Sequence, residues 1–166
     1  MKPTQEYLQE YFRYEPDTGL FYRTKPVRGW NGSKNPCGTI NKKGYICIMI
    51  NYKVYKAHHL AWLYVNGTWP DKQIDHINGI RSDNRIKNLK LATNQQNSFN
   101  RGKNRNNTSG YKGVSYHKRS KKYCSHIRVN GKLHHLKTSA DPLICSAAYE
   151  DAAKIIHGDF YYKLNR

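Results

Sequence analysis

Between Asn84 and Ala140 the sequence has no acidic residue, and that gap of 57 positions holds 14 Lys and Arg. Any surface built from it is positive, which excludes a cationic partner and favours a polyanion. No apolar run approaches the roughly 18 residues of a membrane span, and the mean hydropathy of −0.92 agrees. The polar start MKPTQEYLQEYF lacks the apolar centre of a secretory signal, so the chain reads as cytosolic. Cysteine is scarce. Cys37, Cys47, Cys124 and Cys145 form no C-x-x-C pair, which argues against a zinc ribbon and a disulfide framework and leaves free thiols. What is present is charge of one sign: 29 Lys and Arg against 11 Asp and Glu, a formal +18, with 8 His and 14 Tyr in 166 residues. At this length the expectation is one domain or two small ones, each near the lower limit of size for unaided folding.

A basic surface has three ordinary explanations: nucleic acid, an anionic membrane, or a solvated face without a partner. Tyr and Asn are interleaved with the charge and no basic amphipathic helix appears, so nucleic acid is favoured over the other two. No membrane and no obligate protein partner are expected, and a monomer is favoured over a dimer; that the nucleic acid is double-stranded DNA is what the resemblances given below imply.

Local patterns divide the chain. Thr4 to Tyr14 reads as a short amphipathic segment capped by Thr4, with Tyr7, Leu8, Tyr11 and Phe12 on one helical face. Glu15 to Gly19 has turn composition, and Leu20-Phe21-Tyr22 leaves it as a strand. After a Gly, Pro and Asn loop over 26–38, the run from Gly44 to Ile50 reads as a buried strand that Asn51-Tyr52-Lys53 turns back into Val54-Tyr55-Lys56. Ala57 to Val65 has helical spacing and stops at Asn66-Gly67. Residues 101–110 contain no apolar side chain and read as a linker. Beyond it, Tyr111 to His117, Lys122 to Val129 and Lys132 to Thr138 alternate as three strands, the last two joined by Asn130-Gly131. Asp141 as N-cap and Pro142 at the first position open a closing helix, with Ile144, Ala147, Ala148, Ala152, Ile155 and Ile156 expected on its packed face. The fold class expected is α+β. The expected division is 1–56, a strand-rich region; 57–100, a central core; 101–109, a basic linker; and 110–166, a small domain of three strands and a helix; the resemblances given below imply that these are a DNA-contacting region, a nuclease core, a tether and a DNA-binding domain.

The most specific string is Ile74-Asp75-His76-Ile77-Asn78-Gly79, followed by Arg81-Ser82-Asp83-Asn84-Arg85, by Asn88-Leu89-Lys90-Leu91-Ala92-Thr93, and by Asn97. On a strand, Asp75 and His76 point to opposite faces. Asn78-Gly79 can turn the strand, 88–91 can return antiparallel, and Thr93 can cap a helix that carries Asn97. That arrangement brings Asp75 and Asn97 to one end, and a carboxylate with an amide oxygen suits Mg²⁺ or Mn²⁺ better than zinc.

These residues, with Ala57-His58-His59-Leu60-Ala61-Trp62 through Trp69-Pro70 before them, resemble the HNH endonucleases of the phage and intron-homing kind, and the similarity runs from about Tyr14 to Arg101. The resemblance implies a ββα-metal core and a phage-encoded protein acting in a bacterial host. It implies one Mg²⁺ or Mn²⁺ per active site held by Asp75 and Asn97, His76 as general base, and Asn88 as the residue that fastens the loop and orients His76. The last HNH letter is Asn rather than His, as in many homing members. His58 and His59 read either as packing groups that open a helix or as phosphate contacts. Trp62 and Trp69 read as core. Arg81, Arg85 and Lys87 read as phosphate contacts beside the site or as a solvated loop.

The C-terminal part carries a second resemblance. Ser109-Gly110-Tyr111-Lys112-Gly113-Val114, Ser125-His126-Ile127-Arg128, Gly131-Lys132, Leu136-Lys137-Thr138, Ala147 to Ala153, Gly158 and Asn165 resemble the plant ethylene-response-factor (Apetala-type) DNA-binding domain. That resemblance implies a three-stranded sheet in the major groove with a helix packed behind it. Val114, Ile127 and Leu136 then look at the helix, while Lys112, Ser115, His117, His126, Arg128 and His135 look at DNA. Ser115, His117 and His135 stand where that family has Arg, Arg and Trp, so the binding mode carries over more safely than the base sequence read. Lys118, Arg119, Lys121 and Lys122 are suited to phosphates, and Lys103 and Arg105 to a basic tether that follows the DNA.

The function expected is a site-directed, metal-dependent DNA endonuclease that nicks one strand per catalytic centre. Two alternatives remain: a DNA-binding regulator with an inactive HNH core, and an RNA-binding protein. The intact Asp75, His76, Asn88 and Asn97 argue against the first. The second is disfavoured because the exposed strand positions offer basic and His side chains rather than paired aromatics.

Overall fold

A computed structural model describes residues 2–26, 34–99, 103–104 and 106–158. The architecture is α+β, in two compact units, Met1–Asn97 and Ser98–Arg166. Among the described residues no helix is long and apolar enough to cross a membrane.

The first unit begins with α1 (Gln5–Tyr11), where the Thr4 hydroxyl accepts the Tyr7 N–H at 3.2 Å. The helix is shorter than the amphipathic pattern predicts. Phe12 is already extended and opens β1 (Phe12–Glu15), which pairs antiparallel with β2 (Leu20–Arg23). The same apolar residues serve both elements: Leu8 packs from the helix, and Phe12, Tyr14 and Phe21 from the hairpin. Burying each such side chain stabilises the fold by about 1.5–3 kcal/mol.

A second antiparallel sheet, in the order β3 (Thr39–Ile40), β4 (Ile46–Ile50) and β5 (Lys53–Lys56), follows. The sequence pattern predicts a buried run over 44–50, but only one face is covered: Ile48 and Ile50 are buried while Met49 points outward. Asn51 and Tyr52 both take positive φ, making a two-residue turn, and β5 starts at Lys53 to pair with Ile50. β5 runs directly into α2 (Ala57–Asn66), whose Leu60, Ala61 and Leu63 fill the same core. Gly67 closes that helix, its N–H reaching the Leu63 carbonyl at 3.0 Å. Trp62 and Trp69 are partly buried against the core. A third pairing, β6 (Gln73–His76) with β7 (Leu89–Ala92), leads into α3 (Asn94–Phe99).

The second unit is a three-stranded antiparallel sheet, in the order β10 (Lys132–Ser139), β9 (Lys122–Val129) and β8 (Val114–His117), backed by α4 (Pro142–His157). β8 is shorter than predicted because Tyr111 to Gly113 form a turn. The end of the predicted linker is folded: the Ser109 hydroxyl donates to the Val114 carbonyl at 2.8 Å, and the Gly110 N–H donates to Asn107 Oδ1 at 2.8 Å. Asp141 caps α4 through the Leu143 N–H at 2.8 Å, with Pro142 in the first turn.

The face of α4 that packs is not the one expected. Cys145, Tyr149, Ala153 and His157 are buried, while Ile144, Ile155 and Ile156 are exposed. Only the expected Ala152 lies partly against the core of Ile127, Tyr149 and Ala153. The packed stripe follows period rather than bulk: residues 145, 149, 153 and 157 are four apart.

Candidate active site

β6 carries two chemically different faces. Ile74 and His76 look into the core opposite Leu91 and Leu89, and Gln73 and Asp75 look the other way opposite Ala92 and Lys90. Both Asp75 and His76 are buried, at 4% exposure each. Two adjacent polar side chains buried on opposite sides of a strand are costly to keep unless each meets a partner.

On the core side His76 joins a ring cluster. Its imidazole lies 4.9 Å from that of His58, edge to face, and 5.9 Å from the Tyr45 ring. His58 in turn lies 5.2 Å from Tyr45 and 4.5 Å from His59. The start of α2 therefore delivers His58 to the flank of His76. Burial lowers the His76 pKa; the Asn84 side chain and the Asp83 carboxylate pull it up, and Arg81 and Lys56 push it down again. Burial pushes His58 down to about 2, helped by His59, His76 and Lys56. His59 falls to about 4 for the same leading reason. All three imidazoles are therefore neutral at pH 7, the form that can accept a proton. His58 Nδ1 is buried without a hydrogen-bond partner.

This cluster has a consequence for stability. His58 keeps its ordinary pKa near 6.5 in the unfolded chain and about 2 in the folded one, so below pH 6.5 the unfolded state binds the extra proton. Its contribution is complete above that pH and is lost as pH falls. A denaturant melt of the protein should lose about 1.4 kcal/mol per pH unit from His58 alone between about pH 6 and 4. His58→Phe should flatten that slope.

The loop between β6 and β7 is fastened by Asn88. Its Oδ1 accepts the Asn78 N–H at 2.9 Å, and its Nδ2 donates to Asn78 Oδ1 at 3.0 Å and to the Asp83 carbonyl at 2.9 Å. The Ile77 N–H reaches the Asn88 carbonyl at 2.9 Å. One amide thus holds both ends of the turn that follows His76. Asn84, fully buried, donates to the Ser82 carbonyl, and its own carbonyl accepts the Tyr14 hydroxyl at 2.7 Å. Burial pushes that hydroxyl up to about 12. The β1–β2 turn closes on the same loop at Gly19 (φ +74°), where an added Cβ would lie 2.4 Å from the Arg85 backbone nitrogen. The N-terminal hairpin thereby buttresses the loop between β6 and β7.

On the other face, Lys90 Nζ lies 4.0 Å from Asp75 Oδ2. Thr93 and Gln96 cap α3 reciprocally, side chain to backbone, at 3.2 and 2.9 Å. One turn in, Asn97 Nδ2 donates to Gln73 Oε1 at 2.5 Å, so Asn97 reaches the same face of β6 as Asp75. That bond uses the amide nitrogen and leaves the oxygen, the atom a hard cation takes. Among the described residues there is no group of three or more His, Cys, Asp or Glu able to hold a metal. The donor set of one carboxylate and one amide oxygen fits Mg²⁺ or Mn²⁺ completed by water and phosphate oxygens.

The basic residues near this loop differ in what they already do. Arg85 is engaged by Asp83 through two bonds of 2.8 and 2.5 Å, which raises its pKa and lowers that of Asp83. Lys87 lies 3.7 Å from Asp17. Arg81 is exposed, its Nη1 donates to the Lys43 carbonyl at 2.9 Å, and its guanidinium lies 5.2 Å from the Tyr45 ring centre.

In the second unit, Ser115, His117, His126, Arg128 and His135 fall on the sheet face away from α4, and Val114 and Ile127 are buried on the other. Leu136, at a bulge in β10, packs partly beside them. His126 and His135 are direct cross-strand partners with ring centres 5.4 Å apart. Burial, then His135 and His117, lower the His126 pKa. Lys118 and Arg119 sit exposed on the turn between β8 and β9. Lys112, expected on the DNA face, does not join it. It precedes the strand, is half-buried, and donates to the Phe99 carbonyl at 2.6 Å, and burial lowers its pKa. Lys103 Nζ reaches the Gly110 carbonyl at 3.4 Å, and Arg105 lies outside the described residues.

Three residues of the cluster carried no signal in the sequence. Tyr45, in the loop before β4, and Lys56, at the end of β5, lie far upstream of His76 and only the tertiary fold brings them back, and Asn84 reads as an ordinary loop polar residue until its complete burial is seen.

Residues 55–99 match a family described as HNH endonuclease. Protein 3.8 of Escherichia phage T7 is 34% identical over 110 residues, which covers 66% of this chain and 90% of that protein. No solved structure matches the chain.

Proposed function

Since the chain belongs to the family of phage T7 protein 3.8 and carries an HNH endonuclease domain at residues 55–99, we propose that it is a site-directed DNA endonuclease of the homing type that nicks one strand per catalytic centre. The observation that carries this reading is the buried, neutral His76 adjacent to the buried Asp75, on a strand whose following turn is locked by Asn88. HNH nucleases depend in general on a divalent metal, and when bound at Asp75 and Asn97 such an ion would stabilise the charge that develops on the phosphate and on the leaving 3′ oxygen.

His76 takes a proton from the attacking water. The new bond forms from that oxygen to phosphorus, the bond from phosphorus to the 3′ oxygen breaks with its electron pair going to that oxygen, which takes a proton from solvent water, and the products are a 5′-phosphate and a 3′-hydroxyl; His76 then returns its proton to solvent. Asp75 and Asn97 would hold the cation and supply its oxygen ligands, and His76, adjacent to Asp75, supplies the base. Asn88 keeps the turn after His76 from opening, and the rings of His58 and Tyr45 hold the imidazole plane and exclude water behind it.

The second unit supplies location in this reading. Its outer sheet face, with Ser115, His117, His126, Arg128 and His135, enters the major groove as an Apetala-type domain does, Arg128 forking onto a guanine. Lys118 and Arg119 contact phosphates, and the basic tether through Lys103 and Arg105 keeps the units on one duplex.

Incubation of supercoiled plasmid with the protein and Mg²⁺ or Mn²⁺ tests the proposal. Open circles should accumulate and EDTA should stop them; a protein that binds the plasmid and leaves it supercoiled in either cation contradicts the reading. Affinity measured in EDTA should fall linearly in log units with salt, with a slope reflecting on the order of 6 to 10 phosphate contacts.

A further inference from the structure

A pair of cations flanks the ring cluster, and among the described residues no carboxylate lies within ion-pair distance of either. Lys56 Nζ lies 4.8 Å and the Arg81 guanidinium 5.2 Å from the centre of one ring, that of Tyr45, which itself lies 5.9 Å from His76. Both side chains belong to exposed residues. Among the described residues neither is paired with a carboxylate, whereas Arg85, Lys87 and Lys90 each have one in reach.

The position of Lys56 is also poor for the helix it opens. It is the N-cap of α2, it makes no side-chain capping bond, and the first turn contains no acid. Ser, Thr, Asp or Asn would cap that end, and a cation there opposes the helix dipole. The loop after β6 contributes a second cation, Arg81, anchored by its bond to the Lys43 carbonyl at 2.9 Å, while the acid of that loop, Asp83, is engaged by Arg85. Two like charges on one aromatic ring, beside a helix N-terminus, repel one another unless an anion joins them. Lys56 is already among the charges that hold His58 and His59 neutral.

We infer that Lys56 and Arg81, aligned by Tyr45, form a phosphate site that grips the DNA strand being cut, at the phosphodiester facing His76 or the one next to it. The inference rests on the nuclease reading given above. The two cations are the groups that touch a phosphate oxygen, and the negative ring face of Tyr45 is the positioning element, attracting both and fixing their separation. Arg81 offers its remaining N–H groups as a planar donor set, and Lys56 acts as a point charge. The site accounts for the choice of residue at the start of α2, which helix stability alone does not.

The test uses the full chain and the variants Lys56→Ala, Lys56→Arg, Arg81→Ala, Tyr45→Leu and Tyr45→Phe, with Lys154→Ala on the back of α4 as a control for lost charge. Two quantities are read: the single-turnover nicking rate on saturating supercoiled plasmid with Mn²⁺, and the salt dependence of binding to a short duplex in EDTA. Lys56→Ala and Arg81→Ala should each slow nicking on the order of 100-fold if they hold the reacting phosphate. If they hold its neighbour, the salt slope should fall by about 1 for each variant, with the saturated rate kept. Lys56→Arg and Tyr45→Phe should recover what Lys56→Ala and Tyr45→Leu lose, and Lys154→Ala should behave as wild type. Unchanged rates and unchanged slopes for Lys56→Ala and Arg81→Ala overturn the inference. If the wild type nicks nothing, the nuclease reading fails separately, and the slopes in EDTA still decide whether these two residues hold a phosphate.

Discussion

His76→Ala should nick supercoiled plasmid about 100- to 10,000-fold more slowly than the wild type, the range a positioned general base contributes. Its binding to the same DNA in EDTA should be unchanged. The two halves of that result separate chemistry from affinity. Burial lowers the His76 pKa and keeps the imidazole neutral, so its loss removes proton transfer and little of the electrostatic attraction to DNA, which the neighbouring cations supply. Asp75→Asn is the companion variant and should be as inactive, because the amide keeps the shape of the carboxylate and loses its charge. It is preferable to Asp75→Ala. Alanine would also leave a void and remove the polar atoms from a buried position, whereas Lys90, 4.0 Å away with a side chain 19% exposed, loses its charged partner in either variant. Melting both variants beside the wild type checks that lost activity is not lost fold.

Gly113→Ala should unfold the second unit. Gly113 has φ +72°, and an added Cβ would lie 2.1 Å from the Tyr149 ring. The ring cannot give way easily. It is buried at the centre of a small cluster with Ile127 and Ala153, and the strand backbone is fixed by the bond from the His126 N–H to the Gly113 carbonyl at 2.9 Å. Overpacking of this kind costs about 1–3 kcal/mol and a left-handed alanine about 1–2 more. A unit of this size has only a few kcal/mol to lose. Limited proteolysis should cut the variant within 98–158 and leave the first unit resistant, and DNA affinity should drop with the loss of the sheet. A variant as resistant as the wild type would show that the strand can shift to make room.

What the sequence made legible follows from local spacing. The strand with Asp75 and His76, the return strand from Leu89, the Thr93 cap and the helix with Asn97 are consecutive, and each has its own turn or cap residue. Turn chemistry likewise placed the hairpin at Asn130-Gly131 and the start of α4 at Asp141-Pro142. The misreadings arose where tertiary packing chose among local options. α4 offered two apolar stripes, and the one with Cys145, Tyr149 and Ala153 won because small residues let the helix approach the sheet while Tyr149 fills the gap under Gly113. Lys112 looked like the first residue of a strand, yet the preceding turn directs it to the Phe99 carbonyl. In the candidate site, the ring cluster on His76 joins residues from β5, α2 and the loop before β4. Charge counting could flag Lys56 as basic but not as an unneutralised cation over Tyr45.

The central claim is that this chain hydrolyses DNA with His76 as base and a cation held by Asp75 and Asn97. The most direct measurement is end analysis of plasmid nicked by the wild type in Mn²⁺, with the His76→Ala and Asp75→Asn variants in parallel. The account predicts nicks bearing a 5′-phosphate and a 3′-hydroxyl that a ligase reseals, none in EDTA, and none above background from either variant. Plasmid that is bound but uncut in every divalent cation, or variants that nick as fast as the wild type, would contradict it.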